Sequence, residues 1–268
     1  MRQIEIRLEG ERGNWTIDTK TLLSKGANAS VYTAEIYAPP PLKNDLTNMG
    51  LPNDLVLRLL DDPDPQEEDK AVSQFEHFAA AWEKLAGSSV QTRFMEPIFC
   101  ERRGTPPNVA ITGHSGTTSL PRGQMKKGDA VFSLKEGESV WDLSKGSQLP
   151  SFTQWRAQLL EIIEQVCSRE LHYRDWHSQN VLLKQLSDDS WEINIIDPGA
   201  LIEIERVIWE RGPWHRFDKY EIGVSVMGIQ DLIWIAVEQV DNDFYDAIKE
   251  IVTHRNRQLI MPKIIDKR

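Results

Sequence analysis

The hydrophobic pattern changes character along the chain. Residues 3–9 (QIEIRLE) alternate apolar and polar positions, as do residues 14–23 (NWTIDTKTLL), and this two-residue period predicts half-buried strands. LSKGANASVYTAEIYA follows, a small-residue turn between strand-like runs, and then a loop from Pro39 to Pro52. LVLRLL at 55–60 is a short apolar run with one charge inside it. From 67 to 86 the period lengthens. Ala71, Phe75, Phe78, Ala79, Trp82 and Leu85 recur at helical spacing and share one face. Residues 104–128 are rich in Gly, Pro, Ser and Thr, which predicts a long loop or irregular insertion. AVFSL at 130–134 reads as a buried strand, and 153–171 as the clearest helix. NVLLKQL and EINIID read as a strand pair joined by the turn Ser187-Asp188-Asp189-Ser190. Helical periodicity returns from about 218 to 254, and no internal repeat is present. Strands dominate the first half and helices the second. The expected class is α+β, with a strand-rich front lobe and a helical back lobe.

Composition narrows the function classes. The 268 residues are 40% hydrophobic and 27% charged, an ordinary globular balance of one or two domains. That excludes a disordered tail protein, a collagen-like chain and a coiled-coil rod. Asp and Glu number 41 against 31 Lys and Arg, a net charge of −10, which argues against a general grip on nucleic acid. The acidic stretch 61–69 (DDPDPQEED) carries two prolines and reads as an exposed turn. Cys100 and Cys167 are too few for a disulfide framework and read as core thiols. No apolar run is long enough to cross a membrane, and charges at Arg2, Glu5 and Arg7 do not suit a signal peptide. The expectation is a cytoplasmic protein with no membrane contact.

The strongest chemical signal is YRDWHSQNVLL at 173–183, which follows a long helix and enters a strand. Asp175 and Asn180 stand five apart, and Asp197 lies in IIDPG at the end of the next strand. Two acids and an amide thereby reach one edge of a hairpin. Phosphoryl transfer uses such a set: one carboxylate orients the attacking hydroxyl, while a second carboxylate and an amide oxygen hold Mg²⁺ against the phosphates.

These motifs resemble the protein kinase-like superfamily. YRDWHSQNVLL resembles the catalytic loop HRDxxxxN and the strand after it, and IIDPG resembles DFG with Pro198 in place of Phe. The resemblance implies Asp175 as catalytic base, with Asn180 and Asp197 as Mg²⁺ ligands. LSKGANASVY resembles the glycine-rich loop, with Ser24, Gly26 and Ala29 at its three glycine positions, and Val31 falls where the family covers the adenine. LVLR resembles VAIK with Arg58 at the lysine position. Glu76 best matches the glutamate that pairs with that cation, with Glu67, Glu68 and Glu83 as alternates. AVFSLKEGES resembles the fifth strand and hinge. Phe132 would be the gatekeeper, and the backbone of Ser133 and Lys135 would meet the adenine edge. DKYEIG at 218–223 resembles the DxxxxG that opens the family's central helix.

The implied fold is two-lobed and kinase-like, with residues 1–135 as the N-lobe and 136–268 as a shortened, mainly helical C-lobe. The implied activity is transfer of the γ-phosphoryl of ATP to a hydroxyl, with ATP and Mg²⁺ as cofactors. The best match is an atypical, reduced, bacterial-type Ser/Thr protein kinase. Two alternatives stay open. A small-molecule kinase of the aminoglycoside or choline type is favoured by His177 and the short Asp197–Asp218 segment. A pseudokinase acting as a nucleotide- or protein-binding module is favoured by Arg58 and the thinned glycine loop. The acceptor is accordingly a protein or a small hydroxyl compound, and no nucleic acid partner is expected.

Overall fold

The computed structural model describes residues 15–26, 28–37, 54–104, 109–113, 123–173, 175–187 and 190–203. The strand expected at 3–9, the loop at 39–52 and the helical stretch 218–254 with its DxxxxG lie outside the described residues. The architecture is mixed α+β and divides into two compact units. The first holds residues through Glu76 and Glu96–Leu134, and the second holds His77–Met95 and residues from Lys135 onward.

The first unit is built on a seven-stranded sheet. Its strands are β1 (Trp15–Lys25), β2 (Ala29–Tyr37), β3 (Leu55–Leu60), β4 (Pro97–Cys100), β5 (Val109–Gly113), β6 (Gly123–Gln124) and β7 (Ala130–Ser133), in the order β4-β7-β3-β2-β1-β5-β6. β1 and β2 form an antiparallel hairpin whose turn is closed by Gly26 N–H donating to Ala29 O at 2.8 Å. β3 pairs antiparallel with both β2 and β7. Because successive side chains alternate across a strand, Leu55, Leu57 and Leu59 share one buried face with Ile17, Ile111 and Val131. Each such burial contributes about 1.5–3 kcal/mol. Val56 and Arg58 fall on the opposite face.

The segment 104–128 corrects the expectation of a structureless insertion. β5 runs parallel to β1 and covers its edge, while β6 pairs with β5. Val109 and Ile111 are buried and Ala110 and Thr112 exposed, a short alternation that the surrounding Gly, Pro and Ser conceal. Met125 is fully buried in the same core.

Helix α1 (Pro65–Lys84) starts two residues earlier than its apolar period suggests, because its cap is polar. Asp64 Oδ1 accepts from Gln66 N and Glu67 N at 2.9 and 2.8 Å, and Glu67 Oε2 accepts from Asp64 N at 3.3 Å. This is a capping box with proline at the first helical position.

In the second unit, α2 (Val140–Lys145) and α3 (Arg156–Ser168) accompany β8 (Glu138–Ser139), β9 (Leu171–Tyr173), β10 (Val181–Ser187), β11 (Ser190–Ile195) and β12 (Leu201–Glu203). The described residues of this unit carry both these helices and five short strands. β11, β10 and β8 form one antiparallel sheet, and β12 pairs antiparallel with β9. The helix expected to reach 171 stops at Ser168. Glu170 adopts a left-handed φ of 59°, and the apolar Leu171 onward becomes buried strand. Leu159, Ile162, Ile163 and Val166 keep the helical period and are buried. The side-chain amide of Gln158 bonds Trp191 O and Ile193 N, acting as a partner for β11.

Candidate functional site

The second unit holds Asp175, Asn180 and Asp197, the three residues that the sequence pattern singles out. Asp175 and Asn180 lie on the loop from β9 to β10, and Asp197 follows β11. The β10–β11 hairpin aligns the loop ends, since Val181 pairs with Ile195. Asn180 accepts from Ile196 N through its main-chain oxygen at 2.9 Å and donates its own N–H to His177 O at 2.8 Å. Its side-chain amide donates to Asp175 Oδ2 at 2.8 Å and to Asp175 O at 3.2 Å. The Asn180 side-chain oxygen accepts no hydrogen bond among the described residues.

Tyr173 binds the two segments from beneath. It is buried, and its hydroxyl donates to Ile196 O at 2.6 Å. Its ring meets Phe94 and Trp176 edge-on, with centroids 6.0 and 4.9 Å away. Burial pushes the phenol well above its ordinary range, and the charges of Asp197 and Asp175 push it further. The hydroxyl therefore stays a donor, and both carboxylates act electrostatically on this one phenol. The sequence assigned Tyr173 only to the histidine position of the loop; the bond to Ile196 O is visible only in the fold.

Asp197 is exposed and has a left-handed φ of 63°. Aspartate tolerates that region because its short side chain bonds locally. Here Gly199 N donates to Asp197 Oδ1 at 3.2 Å, and Ala200 N to Asp197 O at 3.2 Å. His177 is also exposed, and its Nδ1 accepts from Gln179 N at 3.3 Å. Among the described residues no cluster of three His, Cys, Asp or Glu side chains is placed to hold a metal ion. The oxygen donors Asp197 and Asn180 suit Mg²⁺, which ordinarily takes one or two carboxylates and completes its shell with water and phosphate oxygens.

The residues assigned to nucleotide binding divide between the units. In the first, Gly26 is exposed in the β1–β2 turn. Val31 and Arg58 are direct cross-strand partners, and Arg58 in turn faces Ala130. Arg58 is half-buried, with its guanidinium carbon 5.8 Å from the centre of the Phe132 ring. Phe75 of α1 packs against Phe132, with ring centroids 5.5 Å apart. Glu76 Oε1 lies 3.2 Å from Arg102 Nη2, and both side chains are largely exposed. Of the alternates, Glu67 serves the helix cap and receives Asn28 Nδ2 at 3.4 Å. Ser133 is buried and tied reciprocally to Glu96, through Ser133 N to Glu96 O at 3.0 Å and Glu96 N to Ser133 Oγ at 2.7 Å. Lys135 opens the second unit, and its Nζ donates to Thr92 O at 2.6 Å.

One buried carboxylate escaped the sequence reading. Asp129 is 2% exposed, with Oδ1 accepting from Leu60 N at 2.9 Å and Oδ2 from Lys126 N at 2.6 Å. In sequence it is an ordinary Gly-Asp turn; only the return of the turn onto the end of β3 buries it.

Comparison with known protein families finds no family model that matches this chain, and comparison with curated proteins finds no relative.

Proposed function

We propose that the chain is an ATP-dependent phosphotransferase of kinase-like, two-lobed fold, acting as an atypical Ser/Thr protein kinase. The observation that carries the reading is the hydrogen-bonded chain from Tyr173 through Ile196 and Asn180 to Asp175, which holds one carboxylate beside an amide and sets Asp197 at the adjoining strand end. In this reading Asp175 accepts the acceptor hydroxyl's proton, with Asn180 Nδ2 fixing its orientation. Asp197 and the Asn180 oxygen would hold Mg²⁺, which supplies charge neutralisation on the phosphates. Arg58 would bind phosphate oxygens as a planar fork rather than a point charge. Gly26 and Val31 would contact the nucleotide, and the Ser133–Lys135 backbone the adenine edge. Among the described residues no helix is long and apolar enough to cross a membrane. A cytoplasmic location and the absence of a nucleic acid partner belong to the same proposal, and the two buried cysteines, neither of them in a disulfide, suit it.

The test is incubation with labelled ATP and Mg²⁺, alone and with protein or small hydroxyl acceptors, beside thermal shift with ATP in the presence and absence of Mg²⁺. Absence of both transfer and nucleotide stabilisation sinks the reading. A second reading, a nucleotide-binding pseudokinase, is favoured by the pairing of Glu76 with Arg102. In that case Arg58→Lys raises transfer from a near-zero baseline, whereas in an active enzyme it retains an activity already present.

A further inference from the structure

We propose that Asp61 and Glu67 are positioning residues for the nucleotide: they latch the β1–β2 turn in the shape that offers Gly26 to phosphate. The proposal rests on the phosphotransferase reading, in which this turn meets the phosphates.

The acid-rich stretch 61–69 has the composition of a solvated loop, yet its carboxylates divide between two sets of partners. β2 and β3 pair as far as Ala29 opposite Leu60. One residue further on, Asp61 N donates to Asn28 O at 3.0 Å, so the ladder continues into the turn. The Asp61 carboxylate receives the hydroxyl of Ser30, which lies 3.1 Å from Oδ1 and 3.0 Å from Oδ2. Ser30 is 5% exposed, so its hydroxyl has little water to turn to, and a hydrogen bond onto an ionised oxygen is the stronger kind. Asp62 then takes a left-handed φ of 45°, and the chain leaves the sheet for α1.

Glu67 adds the second hold. Its Oε1 receives Asn28 Nδ2 at 3.4 Å, while its Oε2 receives Asp64 N at 3.3 Å as part of the helix cap. The first turn of α1 and the β1–β2 turn thus share one carboxylate. Asn28 is held through both its main-chain oxygen and its side chain, and Ser30 through its hydroxyl. Between them Ala29 O accepts from Gly26 N at 2.8 Å, the bond that closes the turn. Asp62 and Asp69 face other partners, Lys126 Nζ at 3.8 Å and Lys127 Nζ at 2.5 Å. Two effects of opposite sign follow. A carboxylate near a phosphate repels it through space, so removing that charge alone tightens binding. A carboxylate that holds the binding turn does the reverse, because a released turn must be ordered again when the ligand arrives. Asp61 exerts both effects, whereas its neighbour Asp62, turned to Lys126, reports the first.

The experiment measures amide hydrogen exchange without ligand, and MgATP affinity, in the full chain and its variants. In Asp61→Ala, Gly26 N–H is expected to exchange about fivefold faster while amides in the middle of β2 keep their protection, and MgATP to bind about fivefold more weakly. Asp61→Asn keeps an acceptor for Ser30 and should match the wild type in both. Asp62→Ala should leave Gly26 exchange as it is and MgATP no weaker. Asn28→Ala, which releases Glu67, should act in the same direction as Asp61→Ala; no acceleration there removes Glu67 from the latch. Ser30→Ala takes away the Asp61 bond from the other side and decides if Asp61→Ala does not fold. The double variant should lose no more than either single one, since both break the same bond. Unchanged Gly26 exchange in Asp61→Ala and Ser30→Ala overturns the latch. Faster exchange with unchanged or tighter MgATP overturns the positioning role, as does an equal loss of MgATP affinity in Asp61→Asn. If the wild type does not bind MgATP, the phosphotransferase reading fails and the role toward nucleotide fails with it, while Gly26 exchange still decides the latch.

Discussion

Asn180 donates its side-chain amide to Asp175 twice, to Oδ2 at 2.8 Å and to the main-chain oxygen at 3.2 Å. The five-residue spacing seen in the sequence is thus closed into a ring, with the amide nitrogen spent on the carboxylate and the amide oxygen turned away from it. One residue both orients a base and presents an oxygen, a division that the two ends of an amide allow and a carboxylate in its place would not.

Asp175 should act in the transition state rather than in nucleotide binding. Asp175→Asn is expected to lower kcat by orders of magnitude at similar ATP KM. Steady-state kinetics with varied ATP checks this; a collapse of ATP affinity would instead make Asp175 a metal ligand or a structural residue.

For Asp197, the left-handed backbone permits a controlled comparison. Asp197→Ala and Asp197→Gly should both lose Mg²⁺-dependent stabilisation by ATP. Glycine should be the more stable of the two by about 1–2 kcal/mol, since it alone is unstrained at that φ. Retained Mg²⁺ dependence in thermal shift rejects the ligand assignment.

Tyr173→Phe removes a buried donor and leaves Ile196 O without it. A loss of about 1–3 kcal/mol is expected by urea denaturation. Unchanged stability would mean that the bond is replaced, and Tyr173 would lose its place as the tie between the segments.

Two glycines should behave oppositely. Gly128 has φ +89°, and an added Cβ would lie 2.7 Å from Leu60 Cδ1 and 3.1 Å from Ala71 Cβ, whereas at Gly26 the nearest atom is Ala29 O at 3.5 Å. Gly128→Ala should unfold at clearly lower denaturant, by roughly 1–3 kcal/mol. Gly26→Ala should leave the fold intact and weaken MgATP binding. Full MgATP affinity in Gly26→Ala would detach this turn from the phosphates.

Asp129 also fixes the sign of a pH effect on stability. Its carboxyl rises on folding from 3.8 to about 6, so the folded state binds the proton more tightly. The resulting stabilisation is fully present below the lower value and is lost as pH rises through the upper one. Denaturation between these pH values should show stability falling with pH in the wild type, and a flatter profile in Asp129→Asn. Equal slopes in the two proteins would remove this carboxyl as the source.

The short-range part of this protein was legible in its sequence. Alternation placed β1, a short apolar run marked β7, helical spacing placed the apolar face of α1, and NVLLKQL and EINIID were readable as a pair, because such local patterns need no knowledge of what the segment packs against. The residue types and spacing of Asp175, Asn180 and Asp197 were likewise local facts. Contacts distant in sequence were not. Only the fold decided that residues 109–113 line the edge of β1, that Glu76 takes Arg102, that Tyr173 reaches Ile196, and that a turn aspartate is sealed against the end of the Arg58 strand. Each of these depends on the surroundings a side chain meets once distant segments have packed, and it is those surroundings that turn an ordinary turn aspartate into a buried charge.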